Sequence, residues 1–156
     1  MPRKGEAPRR KITPDPVFNS RVVAGFINYM MKGGKKGTAE RIFYGALELV
    51  EQRTERNPIE VFQRAMSNLT PELEVRPRRV GGATYQVPME VTARRKFMLP
   101  VRWMVRAARA RNERTMIERL AGEIVDAANR EGVAMRRRDD VHRMAESNKA
   151  YAHYRF

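Results

Sequence analysis

The feature that most constrains the fold of this chain is the segment 73–91, whose second half alternates between apolar and polar residues. Alternation with a period of two is typical of a β-strand. The apolar positions of this half are Tyr85, Val87, Met89 and Val91. A strand-like run precedes it, and the Gly-Gly-Ala sequence at 81–83 between the two runs is a hairpin signal. The sequence therefore predicts a two-stranded β-hairpin.

The register of this hairpin depends on the length of its turn. Opposed residues of an antiparallel pair point to the same face, so a slip of one residue mixes apolar with charged side chains. A three-residue turn at 81–83 pairs Val75 with Met89, and both are apolar. A two-residue turn instead places Glu74 opposite Met89. We therefore predict the three-residue turn.

The length of the hairpin indicates an arm. Two strands of about eight residues reach roughly 26 Å, whereas a compact chain of this size has a radius of gyration of about 15 Å. Pro77 and Pro88 disfavour pairing with a third strand. An isolated two-stranded ribbon is marginal in water. We predict an arm that the body orders at its base and a partner orders at its tip; a hairpin lying flat on the body is the alternative.

Three helices are predicted before the hairpin. The first begins at Arg21, and its apolar stripe ends before the glycines at 33–34. Thr38 is predicted to cap the second. The third has a strong start signal, because Asn57 can cap it and Pro58 occupies its first position.

Three more helices are predicted after the hairpin. Pro100 would break a helix that began at Thr92, so the fourth helix either starts just before the proline or is kinked there. The fifth opens with a capping box at 115–118. The sixth is predicted to begin at Asp139 or Asp140.

These elements predict a mainly α fold, a bundle of about six helices with a protruding β-hairpin arm between the third and fourth helices. We expect a single domain, residues 1–156. Its predicted parts are a basic N-terminal tail 1–19, a helical body 20–72 and 92–148, the arm 73–91 and a C-terminal tail 149–156.

The charge of the chain points to a polyanionic partner. There are 32 Lys and Arg against 18 Asp and Glu, a net charge of +14 that repels itself in the folded monomer. No apolar window is long enough to span a bilayer, and the helices lack a basic amphipathic pattern suited to a membrane surface. The first residues lack the apolar stretch of a secretory signal, so we expect a cytoplasmic protein.

Residues that could perform catalysis are in no recognisable arrangement. The absence of cysteine excludes disulfides and thiolate metal sites. His142 and His153 lie 11 positions apart without a third ligand pattern. Asp139 and Asp140 diverge by about 100° on a helix and cannot form a facing carboxylate pair. We therefore predict no enzyme, no cofactor and no metal site.

Basic residues are concentrated in several runs, which favours a phosphate-facing surface, although any single run can be a solvated face. The runs lie in the N-terminal tail, at 35–36, in the arm, on the fourth helix and at 136–138. The arm arginines have a fork geometry suited to phosphates and unpaired bases. The C-terminal tail interleaves aromatic and basic residues. Its tyrosines either stack on bases or dock the C-terminus.

The sequence from Val75 to Val91 resembles the signature of the bacterial small-subunit ribosomal protein seven family. Lys35-Lys36, Arg102-Trp103 and the ending 144–156 match it as well, and the resemblance is collinear over essentially the whole chain. Three positions depart from the family pattern. Pro77 stands where serine is usual, Pro100 where alanine is common, and Phe156 where tryptophan is common.

The resemblance implies a structural constituent of the small ribosomal subunit. Such a protein binds the head domain of small-subunit ribosomal RNA, supports its assembly, and contacts neighbouring small-subunit proteins. The arm would lie near messenger RNA and exit-site transfer RNA. The residues predicted to bind ribosomal RNA are Arg3, Lys4, Arg9, Arg10, Lys11, Lys32, Lys35, Lys36, Arg94, Arg95, Lys96, Arg102, Arg109 and Arg111. The predicted arm residues facing transfer or messenger RNA are Arg76, Arg78, Arg79, Gly81, Gly82 and Tyr85.

A DNA-architectural protein is the alternative from another class. A basic β-arm on a helical body can also grip the minor groove of DNA. A preference for bent duplex over structured RNA would favour this alternative.

Overall fold

A computed structural model describes residues 11–154 of the chain. It confirms a mainly helical fold with a β-hairpin between the third and fourth helices. The elements are α1 Arg21–Met30, α2 Lys36–Thr54, α3 Pro58–Leu69, β1 Leu73–Val80, β2 Ala83–Glu90, α4 Ala93–Ala110, α5 Met116–Ala128, α6 Gly132–Ser147 and a C-terminal 3₁₀ helix Lys149–Tyr154.

The chain divides into two compact units, one up to Glu40 and one from Arg41 onward. In the first unit, α1 begins where the hydroxyl of Ser20 accepts a hydrogen bond from the backbone N–H of Val23. This helix buries Phe26 and Ile27 almost completely. The single domain expected from the sequence stays a prediction.

The core of the second unit is organised around α5, which packs against α3, α4 and α6. Its side chains Leu120 and Ile124 are fully buried. Phe43 on α2 meets Phe62 on α3 edge to face, with ring centroids 5.2 Å apart and an interplanar angle of 86°. Such apolar burial is the main favourable contribution to folding.

Three predicted helix starts are confirmed and two are wrong. The first helix begins at Arg21, as predicted. Asn57 caps α3, and the capping box at 115–118 opens α5. However, α2 begins at Lys36 rather than at Thr38. The start of α6 at Gly132 is seven residues before Asp139, because Glu123 of α5 accepts a hydrogen bond from the backbone N–H of Ala134 in its first turn.

The fourth helix continues through Pro100 from Ala93 to Ala110. A proline inside a helix removes one backbone hydrogen bond. Here Leu99, Pro100 and Val101 are all buried. Most helical stability in proteins comes from such packing rather than from local preference, so the helix tolerates the proline.

The hairpin has the two-residue turn, and the predicted register is wrong. Leu73 pairs with Glu90, and Glu74 pairs with Met89. Gly81 and Gly82 have φ of 58° and 87°, and two positive φ values form the tight turn whose twist matches that of the flanking strands. Placing Glu74 on the apolar face is tolerated because ion pairs described below satisfy its carboxylate.

Candidate nucleic-acid interface

The base of the arm is tied to α4 through a buried carboxylate. The side chain of Glu74 is only 6% exposed and lies between Arg76 of the same strand and Arg95 of α4. Arg76 donates a hydrogen bond from Nε to Oε1 at 2.8 Å, and its Nη2 lies 2.7 Å from the same oxygen. Arg95 donates from Nε to Oε2 at 2.7 Å, and its Nη2 lies 2.6 Å from that oxygen. Hydrogen bonds between charged groups, such as these, are stronger than hydrogen bonds between neutral groups. The structure therefore brings together two predicted RNA-binding arginines, but around an acid that anchors the arm.

The tip of the arm presents its cations to solvent on both faces. Arg78 is opposite Tyr85 on one face of the hairpin, and Arg79 is opposite Thr84 on the other. Both arginines and the glycines 81–82 of the turn are exposed. An exposed guanidinium can fork two N–H groups onto a phosphate.

The C-terminal 3₁₀ helix docks on the middle of the arm. The ring of Tyr85 stacks on that of Tyr154 at 5.2 Å and 30°, and contacts that of Tyr151 at 5.2 Å and 45°. Aromatic pairs at such distances stabilise beyond the area that they bury. Of the two interpretations of these tyrosines, the structure favours docking of the C-terminus.

The cations of α4 fall into two groups. Arg94, Lys96 and Arg109 are exposed, whereas Arg95 is half-buried against Glu74. Arg102 is also exposed, and it lines a cleft between α4 and α6.

Arg111 follows α4 and is held by three carboxylates. Its side chain is 25% exposed and forms ion pairs with Glu113, Glu123 and Asp126 at 2.6–3.1 Å. Burial by itself lowers the pKa of Arg111, but hydrogen bonds to Asp126, Glu113 and Glu123 outweigh burial and raise this pKa above its ordinary value. The hydrogen bond from Arg111 lowers the pKa of Glu113. Because three carboxylates already neutralise Arg111, its guanidinium attracts a phosphate only weakly.

In the first unit, the predicted cations Lys32, Lys35 and Lys36 lie in or beside the turn between α1 and α2, whereas Lys11 precedes α1. Lys11, Lys32, Lys35 and Lys36 are exposed. Lys36 forms an ion pair of 3.4 Å with Glu40, one helical turn later. The predicted contacts Arg3, Lys4, Arg9 and Arg10 lie outside the described residues.

Some residues important to this surface were missed by the sequence interpretation. The sequence predicts Glu74 to be an unfavourable neighbour of Met89, whereas in the structure it anchors the arm; an acid two residues before Arg76 is the signal for such an ion pair. In the basic run 136–138, Arg138 donates to the carbonyl of Asn68 and to the carboxylate of Asp139. The sequence alone does not distinguish Arg138 from its exposed neighbours, because the carbonyl that it contacts lies on α3.

We expect Glu74→Gln to loosen the arm. Hydrogen bonds to charged groups contribute about 1.5–3 kcal/mol, and partial exposure of both arginines sets the expected loss near the low end, about 1.5 kcal/mol. Urea unfolding measures this loss, and amide exchange should rise at the base of the hairpin. The matched control is Glu90→Gln, an exposed acid of the same hairpin. Equal effects of the two substitutions would contradict an anchoring role for Glu74.

Within residues 11–154, no helix is long and apolar enough to cross a membrane. In the same range, no three His, Cys, Asp or Glu side chains are grouped so that they could hold a metal ion.

Comparison with known proteins gives consistent matches along the chain. Residues 2–149 match the family described as ribosomal protein S7p/S5e. A protein of Natranaerobius thermophilus named small ribosomal subunit protein uS7 is 58% identical over 156 residues, all of both chains. Proteins of the same name from Syntrophomonas wolfei and Lawsonia intracellularis are 56% and 53% identical, again over the full length of both chains.

Proposed function

This chain belongs to the ribosomal protein S7p/S5e family, and we propose that it is a structural, non-catalytic constituent of the small ribosomal subunit in the cytoplasm. The observation that carries the proposal is identity above 50%, over the whole length, to proteins named for that subunit. The net charge of +14 agrees with a partner made of RNA.

The proposed mechanism is neutralisation of ribosomal RNA phosphates by exposed cations. We select among the predicted contacts by their exposure to solvent, because a cation already paired with carboxylates attracts a phosphate only weakly. We assign the RNA contacts of the described chain to Lys11, Lys32, Lys35, Lys36, Arg94, Lys96, Arg102 and Arg109. Arg95 and Arg111 are left out, since Glu74 and a carboxylate cluster hold them.

The finer assignment concerns the RNA region and the arm. We propose that the RNA partner is the head domain of small-subunit ribosomal RNA, whose assembly the protein supports. The arm would place Arg78 and Arg79 near messenger RNA and exit-site transfer RNA. Arg76 would act mainly by holding the arm through Glu74. The exposed, two-faced cationic tip supports this assignment, because it can reach a second RNA while the body holds the first.

A competition titration tests the function. The head-domain RNA fragment competes against bent duplex DNA of matched charge at near-physiological salt. The proteins are the intact chain and the double variant Arg78→Ala, Arg79→Ala. We expect at least tenfold preference for the RNA, because specific sites exceed nonspecific phosphate attraction by about 10³-fold or more in comparable systems.

The tip variant separates the two functions. It should keep most of its preference for the head-domain RNA, because the body supplies those contacts. It should lose affinity for a transfer RNA anticodon stem-loop. If the intact chain preferred the DNA and the variant lost that preference, the arm would be an architectural clamp and the ribosomal mechanism would be wrong.

A further inference from the structure

The C-terminal 3₁₀ helix supports the arm at a second height, above its base. Residues 77–84 at the tip of the hairpin are all exposed, and Tyr85 is the first residue after the turn that is partly buried. Its ring meets those of Tyr151 and Tyr154, with centroids 5.2 Å apart in both pairs. The 3₁₀ helix also packs against α6 of the body. The two tyrosines therefore link the body to the arm at the point where the exposed tip begins.

This support shortens the part of the arm that stands free. Val87, two residues closer to the base, is fully buried, so packing supports β2 as far as this residue. From Val87 to Gly82 in the turn the strand spans about 17 Å, whereas from Tyr85 it spans about 10 Å. An isolated two-stranded ribbon is marginal in water, so its order depends on such support. Loss of the contacts to Tyr85 would lengthen the free segment by about 7 Å.

The supported ring lies beside a cation of the tip. Arg78 is the cross-strand partner of Tyr85, and such partners have Cβ atoms about 5 Å apart on one face of the hairpin. Within residues 11–154, the guanidinium of Arg78 forms no hydrogen bond or ion pair. Because no carboxylate fixes it, its direction depends on the hairpin backbone and on the neighbouring ring. The 3₁₀ helix can therefore orient Arg78 through Tyr85.

The contacts between the arm and the 3₁₀ helix are made by rings rather than by hydroxyl groups. Among the described residues, no hydroxyl of Tyr85, Tyr151 or Tyr154 forms a hydrogen bond. Aromatic rings attract one another at centroid distances of about 4.5–7 Å. Phenylalanine keeps this interaction and alanine removes it. A comparison of the two substitutions therefore isolates the effect of the ring contacts.

We propose that Tyr151 and Tyr154 are positioning residues of the arm, which hold Tyr85 so that Arg78 and Arg79 present their charges in a fixed direction. The two tyrosines act through the arm and need no contact with RNA themselves. A tip that is ordered before it binds loses less conformational entropy on binding. The identity of the RNA at the tip rests on the proposed function, whereas the effect on the arm rests on the ring contacts alone.

The distance between the tip and the body tests the effect on the arm without any RNA. The chain contains no cysteine, so Ala83→Cys at the tip and Glu48→Cys on α2 introduce the only two sites for spin labels. Both positions are exposed and belong to the second unit. Electron–electron resonance then gives the distribution of the distance between the labels.

Two double variants are compared in this labelled background. Tyr151→Ala with Tyr154→Ala should broaden the distance distribution, because two ring contacts together favour the docked state by about fivefold or more. Tyr151→Phe with Tyr154→Phe should leave the distribution unchanged. The single variant Tyr154→Ala, which removes only the stacked ring, should broaden it to an intermediate width. Urea unfolding shows whether the body of each variant is folded.

The same variants without labels test the consequence for RNA. The alanine pair should bind a transfer RNA anticodon stem-loop about threefold or more weakly, because only the fraction of arms in the correct direction can bind. Its affinity for head-domain RNA should stay within about twofold of the intact chain, since the body cations are unchanged. The phenylalanine pair should bind both RNAs as the intact chain does.

The outcomes separate this inference from the function proposed above. If the alanine pair leaves the distance distribution unchanged, or the phenylalanine pair broadens it equally, the rings do not position the arm and the inference is wrong. If the alanine pair weakens head-domain RNA as much as the stem-loop, the 3₁₀ helix belongs to the body's RNA surface and the inference is also wrong. Failure of the intact chain to bind either RNA, with the expected distance distributions, would overturn the proposed function and leave the positioning of the arm standing.

Discussion

Glu123→Ala is expected to lower the free energy of unfolding by about 3–5 kcal/mol, the range for removing one partner of a buried ion pair. Glu123 is fully buried, and its two oxygens hold different parts of the second unit. Oε2 accepts from Arg111 at 3.1 Å, and Oε1 accepts from the backbone N–H of Ala134 at 3.0 Å. Alanine leaves that N–H without its partner at the start of α6. Urea unfolding followed by circular dichroism measures the loss.

Asp126→Ala is the matched control for this prediction. Asp126 binds the same guanidinium of Arg111, but its side chain is 33% exposed and, within residues 11–154, makes no hydrogen bond or ion pair to α6. Partly exposed ion pairs are screened by water, so the expected loss is about 1 kcal/mol or less. If Glu123→Ala and Asp126→Ala destabilise the protein equally, Glu123 is not the tie between α5 and α6.

The affinity for head-domain RNA is expected to fall by about 10³–10⁵ between roughly 50 and 200 mM salt. This range applies to proteins that neutralise about six to ten phosphates, because each neutralised phosphate releases condensed counterions. Eight exposed cations of the described chain are assigned to the RNA, and the N-terminal tail adds others outside it. Equilibrium titrations at a series of salt concentrations give the slope of log affinity against log salt.

Lys35→Ala with Lys36→Ala should make that slope shallower by about 0.7–0.9 for each lost contact. Arg53→Ala is the control, because Arg53 is an exposed cation at the end of α2 with no assigned RNA contact. An affinity independent of salt would rule out phosphate neutralisation as the mechanism. Equal slopes for the lysine variant and the Arg53 variant would remove the turn between α1 and α2 from the RNA surface.

Local sequence determined most of the secondary structure. The hairpin follows from a strand-like run before the paired glycines and a period of two after them, and the starts of α3 and α5 follow from caps within a few residues of each other. These interactions are short-range, so one stretch of sequence contains all their participants. The family follows from sequence too, because the long motif from Val75 to Val91 is specific and collinear with the rest of the chain.

The register of the hairpin shows where local reasoning failed. Judged from the strands alone, Glu74 opposite Met89 is a mismatch. The structure removes the mismatch with Arg95, which is 21 residues away on α4. The start of α6 is a second case, because the side chain that accepts a hydrogen bond from the backbone N–H of Ala134 in its first turn is Glu123, which lies on another helix.

The sequence by itself determined that this chain is a basic, mainly helical protein with a hairpin between its third and fourth helices, and it identified the family. Only the tertiary structure decided which cations are available to a partner. Arg95, Arg111 and Arg138 look like their neighbours in sequence, yet acids or a carbonyl hold each of them. Periodicity and caps act over one or two turns, whereas a charge is matched or left exposed by whichever elements pack beside it.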